Sequence, residues 1–428
     1  MSLERHVDVL VCGAGPVGLT AALALARRGG LAVEVIDEAD VRAGLSYALA
    51  LHPASVALLD TLGVAGALLE RGLAVDRLAF YEGAERRLEL AVSALGGPFP
   101  FVLVLPQSQL EEVLLAALEA AGVAVRYRHR LSRLDAEDAG GADRATIACA
   151  VDRLDLDPAA RRVGTAEWVV GKSWERDVPF VIGADGHGSL VRRLLGVERE
   201  RLGAPGIFAT FEVVAPPDPV DELRVTFSAG TRNAWWPLPG GRCRLSFELD
   251  EEDAPASPRR KQRLPGFVPW VTRALDEERL RQLVAERMPW APAPCGELGW
   301  SVALRFERAL ARSFGRGRVW LAGDAAHLAF PFGVQSMNAG IAEAIDLAGR
   351  IAEIAAGHRG LGALDEYGRV HHAAWLERLA AGGAVDDAAR ARGTAWDVAH
   401  AREIRESLPV LGDEAASLLA QVGLDRAR

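Results

Sequence analysis

Apolar and polar positions alternate along the first forty residues in blocks that name their elements. Val9 to Val11 is a short apolar run suited to a strand buried on both faces. A helical stretch follows to about Arg28, and Gly29-Gly30 stops it. A second apolar run, Ala32 to Ile36, ends on Asp37. Further on, Pro53 to Gly63 places Val56, Leu59 and Leu62 on one helical face, and Gln107 to Ala121 does the same with Leu110, Leu114 and Leu118. Leu78 to Tyr81 and Leu88 to Leu90 read as a hairpin across Gly83, Leu103 to Leu105 is another apolar run, and Val123 to Tyr127 is a strand. Helix followed by strand, twice over, predicts a parallel sheet. Thr146 to Ala150 and Glu167 to Gly171 suggest antiparallel hairpins, and Pro179 to Ile182 a buried strand.

The pattern changes from about Ile207 to Leu249. Runs such as IFATFEVV, ELRVTFSA and CRLSFEL are separated by turn residues and predict an antiparallel sheet. Residues 250–269 are charged and proline-rich, as in a linker. Leu275 to Glu286 reads as a helix, Val302 to Phe306 and Val319 to Ala322 as strands. Asn338 to Ala356 is a long helix with Ile341, Ala344, Ile345 and Ala348 inward, and three more helical stretches run from about Leu364. The fold class is α/β with α+β insertions. No repeat of 20–50 residues and no low-complexity tract is present.

Composition narrows the class. The chain has 428 residues, 50% hydrophobic and 25% charged, with net charge −9. That length suits two or three domains with ample core, and the charge disfavours nucleic acid or an anionic membrane. Cys12, Cys149, Cys243 and Cys295 are widely spaced, as free thiols of a reducing cytoplasm would be. Val9 to Ala26 carries no charge, yet Gly13, Gly15, Pro16 and Gly18 interrupt it and no basic segment precedes it, so neither a signal peptide nor a membrane span is expected. No His/Cys/Asp spacing suggests a metal.

Chemistry enters with Gly13, Gly15 and Gly18, in G-x-G-x-x-G spacing between the first strand and helix. Gly13 permits the tight turn, Gly15 lets a pyrophosphate approach the backbone, and Gly18 lets helix and strand pack closely. The helix N-terminus offers N–H groups and partial positive charge. Asp37 follows about twenty positions later, where a carboxylate can take ribose hydroxyls. A dinucleotide site is expected, and nothing in this stretch separates NAD from FAD.

Two further stretches, IGADGHGSLVRR from Ile182 and VWLAGDAAHLAFPFGVQSMN from Val319, complete a set of three. In that order they resemble the para-hydroxybenzoate hydroxylase family of single-component FAD monooxygenases, over about Val7 to Arg350. The resemblance implies a Rossmann-type FAD-binding domain (1–75, 105–195 and 301–362), an antiparallel-sheet substrate domain (76–104 and 196–300) and a C-terminal helical segment (363–428). It implies NADPH or NADH as reductant, O₂ as co-substrate, and hydroxylation of an aromatic substrate, phenolic or polycyclic, through a flavin C4a-hydroperoxide. An oxidase or reductase of the same fold is the alternative. Halogenation is disfavoured because no lysine precedes Lys172 and the nearest tryptophans are Trp235-Trp236. A non-catalytic flavin binder stays open.

The resemblance also assigns residues. Gly13, Gly15, Pro16, Val17, Gly18, Asp37, Glu38, Arg42 and Gln107 fall on the cofactor. Asp185, with Gly186, matches the pair near the pyrophosphate and the nicotinamide, with Arg192 and Arg193 as neighbouring charges or as a solvated pair. Gly323 and Asp324 match the pair that binds the ribityl chain. Pro331, Gly333, Val334, Ser336, Met337 and Asn338 form the loop past the isoalloxazine, with Pro331 and Gly333 placed where oxygen reacts. Val334 and Ser336 stand where glycines are usual, and Tyr47 where an arginine contacts the pyrophosphate. Trp235, Trp236 and Pro237 are the substrate-side candidates, and two adjacent tryptophans on a strand point to opposite faces. His327 is expected to be structural or near the flavin, His52 is a further candidate, and His371-His372 a surface pair. The protein is expected to be a cytoplasmic monomer or homodimer.

Overall fold

The computed structural model describes residues 6–40, 49–135, 145–157, 168–214, 221–228, 230–249, 275–292, 296–380, 395–422 and 424. Arg42, Tyr47, Cys295 and the 250–269 linker lie outside them.

Val9–Cys12 is the centre of the first sheet, paired in parallel with Phe180–Gly183 on one side and Val33–Asp37 on the other. Val125–Tyr127 and Val319–Leu321 extend it in parallel, and a short antiparallel strand, Gly315–Arg316, closes one edge. Every residue of Val9–Cys12 and Phe180–Gly183 is buried, which is why these strands read as continuous apolar runs. The helices Pro16–Arg28, Gln335–Ala355 and Gly362–Ala380 cover the sheet, and their core includes Leu19, Leu23, Ile341, Leu347, Tyr367 and Trp375.

The second large sheet has seven strands, in the spatial order Glu297–Phe306, Gly206–Val214, Arg242–Leu249, Thr231–Leu238, Leu223–Ser228, Arg77–Glu82, Glu85–Ala91. It is antiparallel except where Leu223–Ser228 runs parallel to Arg77–Glu82, so the early hairpin is stitched onto a sheet formed much later in the chain. Period-two alternation sorts its side chains. Phe208, Trp236 and Val225 face a core shared with Phe332, Val334, Ile404 and Leu408. Phe211, Trp235 and Phe247 face the helix Glu277–Arg287. Each fully buried large apolar side chain stabilises such a core by about 1.5–3 kcal/mol.

Several boundaries differ from expectation. The hairpin strands extend to Ile147–Leu156 and Trp168–Val178, where pairing to the mostly buried first strand holds a second strand that is largely exposed. The long helix starts at Gln335, three residues early, because Val334 in a left-handed conformation turns the chain into it. In place of the expected three C-terminal stretches, four helices stand among the described residues: Gly362–Ala380, Ala395–Ala399, Ala401–Ser407 and Gly412–Ala420. No helix among the described residues is long and apolar enough to cross a membrane. Cys12 and Cys149 are buried free thiols, and Cys243 is buried as well.

Candidate cofactor site

The three motifs meet at the C-terminal ends of the parallel strands. Gly13 has φ of +109°, and a Cβ there would lie 2.1 Å from the carbonyl oxygen of Ala184. The first turn and the middle motif therefore touch through main chain alone. Gly18 packs as closely, since its Cβ would fall 2.0 Å from the Gly13 carbonyl. At Gly15 the opposite holds: no atom lies within 4 Å of its Cβ position. That open space sits at the start of Pro16–Arg28, whose first turn has neither a side-chain cap nor an acid. Uncapped N–H groups beside open space suit an anion. Val17 sits against the third motif, because Cβ atoms at Gly323 and Gly340 would come within 2.8 and 2.6 Å of it.

Asp37 ends its strand beside this turn. Its Oδ2 accepts the Ala14 N–H at 2.6 Å and its Oδ1 the Ala39 N–H at 2.8 Å. The carboxylate thus braces the turn while keeping lone pairs for a further donor. Gln107 opens its helix as expected, and its amide donates to Glu111 at 2.8 Å instead of pointing into solvent.

Asp185 accepts hydrogen bonds from the Ser189 hydroxyl (2.5 Å) and from the N–H groups of Leu190 and Val191 (2.6 and 3.0 Å). Burial pushes its carboxyl above the ordinary range, against the pull of these donors. It therefore fixes the loop around Gly186. Arg192 is buried and donates to the carbonyl of Ala325 at 3.1 Å, tying the middle motif to the third. Arg193 alone keeps a solvated position, on Gly188.

The third motif is organised by a buried carboxylate that sequence reasoning missed. Glu343, on the helix Gln335–Ala355, accepts from Gly323 N–H (2.9 Å), the Trp375 indole N–H (2.8 Å) and His327 Nε2 (2.8 Å). Burial raises its pKa, but the His327 charge and hydrogen bond outweigh that and pull it down to about 2. His327 is fully buried and stacks on Trp375 at 3.8 Å, a structural place beside Gly323-Asp324. Ser336 donates to Asp324 Oδ1 at 2.5 Å and faces His327 Nδ1 at 3.4 Å. His371 is not a surface residue as expected: it bonds Asp346 at 2.9 Å and leans on the Tyr367 ring.

The loop from Pro331 to Asn338 is held from both sides. Asn338 is buried, accepts the His52 N–H at 2.8 Å and donates to the carbonyls of Ala50 and Val334. His52 Nε2 lies 2.8 Å from the Gly333 carbonyl, so that nitrogen carries the proton. Its Nδ1 is buried without a partner among the described residues, and burial lowers its pKa to about 3. His52 is thus a brace and no base. Gln335 reaches the carbonyls of Arg405 and Leu408, which joins the loop to the C-terminal helices. Met337 packs partly buried between the two main cores.

A family model described as "FAD binding domain" matches residues 6–377. The chain belongs to that family. It is 31% identical to a 6-methylpretetramide 4-monooxygenase of Streptomyces rimosus over 382 residues, which is 88% of this chain and 60% of the relative. It is 26% identical to a para-nitrophenol 4-monooxygenase of a Pseudomonas species over 392 residues, 88% of this chain and 85% of the relative. The chain thus spans less than two thirds of the first of these and most of the second. A crystal structure of p-nitrophenol 4-monooxygenase from Pseudomonas putida superposes with a TM-score of 0.72 at 21% identity, covering 100% of both chains, and shares the fold.

The residues of this FAD-binding chain fit the cofactor. Gly15 leaves the cradle a Cβ would fill, uncapped N–H groups face it, and Asp324 stands at the adjoining motif. Glu38 is exposed just beyond Asp37. On the other side, a cleft of about 620 Å³ opens beside Phe330 and is lined by Phe227, Arg232, Glu248, His400 and Glu406. Trp235, Trp236 and Pro237 do not line it. Trp235 packs with Trp290 on the far face of the sheet, and Trp236 is buried in the core behind Phe332. Strand alternation thus separated the two indoles as expected, but both are filled into packed cores.

Proposed function

We propose that the chain is an FAD-dependent monooxygenase that uses NADPH or NADH and O₂ to hydroxylate an aromatic substrate, phenolic or polycyclic. The carrying observation is that three motifs far apart in sequence close around one open glycine turn. Relatives named for 6-methylpretetramide and para-nitrophenol support the substrate class. We take the cofactor part to comprise 1–75, 105–195 and 301–362, the substrate part 76–104 and 196–300, and the C-terminal segment 363–428; strand pairing crosses these bounds at Val102–Val104, Arg199–Arg201 and Glu297–Phe306. Buried free thiols suit a cytoplasmic setting.

The bound flavin would supply the two-electron exchange with the nicotinamide and the reaction with O₂. The chain's own residues bind, orient and exclude water. The N–H groups after Gly15 hold the pyrophosphate, Asp37 and Gln107 reach the adenosine side, and Asp324 takes the ribityl hydroxyls. The helix from Gln335 begins without an acid in its first turn, so its positive end favours a reduced, anionic ring. Phe208, Phe306 and Phe332 pack as an aromatic cluster behind Phe330, with ring centroids 5.3–5.4 Å from Phe208. Arg232 lies over both Phe330 and Phe332. We place the substrate ring in the cleft beside Phe330, whose volume suits a small or mid-sized polycycle.

The test is anaerobic titration of the yellow protein with NADH and NADPH, followed by ¹⁸O₂ and a phenol panel. Flavin bleaching and one labelled oxygen in the product are the expected results. Bleaching without oxygen insertion for any substrate would replace this reading with an oxidase or reductase.

A further inference from the structure

One polar chain, buried at one end and half-buried at the other, joins the third motif to Glu343 beyond it. It runs from Glu343 through His327 and Ser336 to Asp324. Each member has a defined place in it. Glu343 holds the main chain of Gly323, the residue before Asp324. Ser336 has one hydroxyl proton and gives it to Asp324 Oδ1, so its lone pairs face His327 Nδ1. His327 cannot rotate away, because Trp375 stacks on its ring and Glu343 takes its other nitrogen. Trp375 is itself covered by the Arg378 guanidinium, 4.4 Å from the ring centre.

We propose that Ser336 is a positioning residue for the cofactor. Backed by the His327–Glu343 pair, it locks the Asp324 carboxylate so that Oδ2 is presented to the ribityl hydroxyls. This rests on the FAD-binding reading and gives the serine a role through Asp324, where a glycine would leave the carboxylate free to rotate. Oδ2 accepts no hydrogen bond among the described residues, whereas Oδ1 is engaged. Arg199 and His187 also lie within electrostatic reach of Asp324, and the Ser336 hydroxyl bonds its Oδ1 directly, which fixes its rotamer.

The experiment is titration of the FAD-stripped chain with FAD, read by quenching of flavin fluorescence. It compares wild type, Ser336→Ala, Ser336→Thr, Asp324→Ala and the Ser336→Ala/Asp324→Ala double variant. Loss of a hydroxyl that acts through one neighbour should raise the Kd about fivefold to tenfold. Ser336→Thr should stay within about twofold, since it keeps the donor. In the Asp324→Ala background, which has no acceptor for the hydroxyl, the serine effect should vanish, because the cycle isolates their coupling. Near-UV circular dichroism checks the fold, and Ser336→Cys replaces the alanine variant should that one unfold. A wild-type Kd in Ser336→Ala, or losses that simply add in the double variant, would overturn the proposal while leaving FAD binding intact. A wild type that binds no FAD would take down the functional reading as well.

Discussion

The first glycine turn and the loop from Gly323 to Asn338 do neighbouring jobs with opposite materials. The turn is made of main chain and of missing side chains: Gly13 meets Ala184, Gly18 meets Gly13, and Gly15 meets nothing. The later loop is made of polar side chains, with the buried Glu343, His327, Asn338 and His52 and the half-buried Ser336 each holding a backbone or carboxylate in place. A site built from backbone is written in a few adjacent letters. A site built from side chains needs partners that arrive from other elements, and its letters look ordinary one at a time.

The comparison breaks most sharply at the glycines. Gly13→Ala must place a methyl 2.1 Å from a carbonyl oxygen at positive φ, so soluble folded protein should be lost or severely reduced. Gly15→Ala meets open space and should melt within about 2 °C of wild type, yet lose FAD affinity by about a hundredfold or more. Melting curves beside FAD titrations read both. A Gly15→Ala protein that binds FAD normally would show that the cradle is not where the pyrophosphate sits.

Glu343→Gln tests the other material. Breaking a buried pair by removing one charge costs about 3–5 kcal/mol, and urea unfolding near pH 7 should show a loss of that order. The pH dependence follows with a definite sign. Glu343 sits at about 2 in the fold against an ordinary 4.5. Its stabilisation, about 3 kcal/mol, is complete above pH 4.5 and is lost as pH falls toward 2. The glutamine variant should lack that part of the acid slope. An unchanged slope would mean that the carboxylate is not held by His327.

This contrast explains how much could be read in advance. Asp8 to Asp37 was legible to within a residue, because strand, turn and helix each leave a local signal. The seven-stranded sheet was legible as strands, but its parallel join between Leu223–Ser228 and Arg77–Glu82 was not, since register across that separation leaves no mark in the sequence. Gly323 and Asp324 were visible through family likeness. Glu343 was not, although it bonds Gly323 directly, because an acid inside an apolar helix face looks like a solvated one until Trp375 and His327 are brought to it. The same holds for Trp236: adjacency predicted opposite faces, but only packing shows that neither indole is open to a cleft.

His52 responds to acid over a different pH window from Glu343. It stays neutral in the fold down to about pH 3, while the unfolded chain binds its proton near 6.5. The unfolded state therefore binds more protons between those values, and stability falls as pH drops from 6.5 toward 3, by several kcal/mol in all. His52→Leu should cost about 1 kcal/mol at pH 8 for the lost bond to the Gly333 carbonyl, and should be less acid-sensitive than wild type across that window. Guanidinium melts at pH 8, 6 and 4.5 measure it. A steeper acid slope in the leucine variant would contradict the buried neutral ring.

The smallest effect is expected where the two materials are mixed. Val334 is a β-branched residue at φ 49° in a loop where backbone freedom would favour glycine. That conformation costs about 1–2 kcal/mol. The same side chain is 8% exposed and packs with Phe332, Ile404 and Leu408 in the core behind the loop, which returns a similar amount. Val334→Gly removes the strain and the packing together and adds about 0.5–1 kcal/mol of chain entropy to the unfolded state. Unfolding free energy should therefore fall by no more than about 1 kcal/mol, with the loss appearing as faster unfolding. A gain in stability would mean that strain outweighs packing here. A loss of 3 kcal/mol or more would mean that the valine, and with it the C-terminal helices it packs against, holds the loop more firmly than the backbone disfavours it.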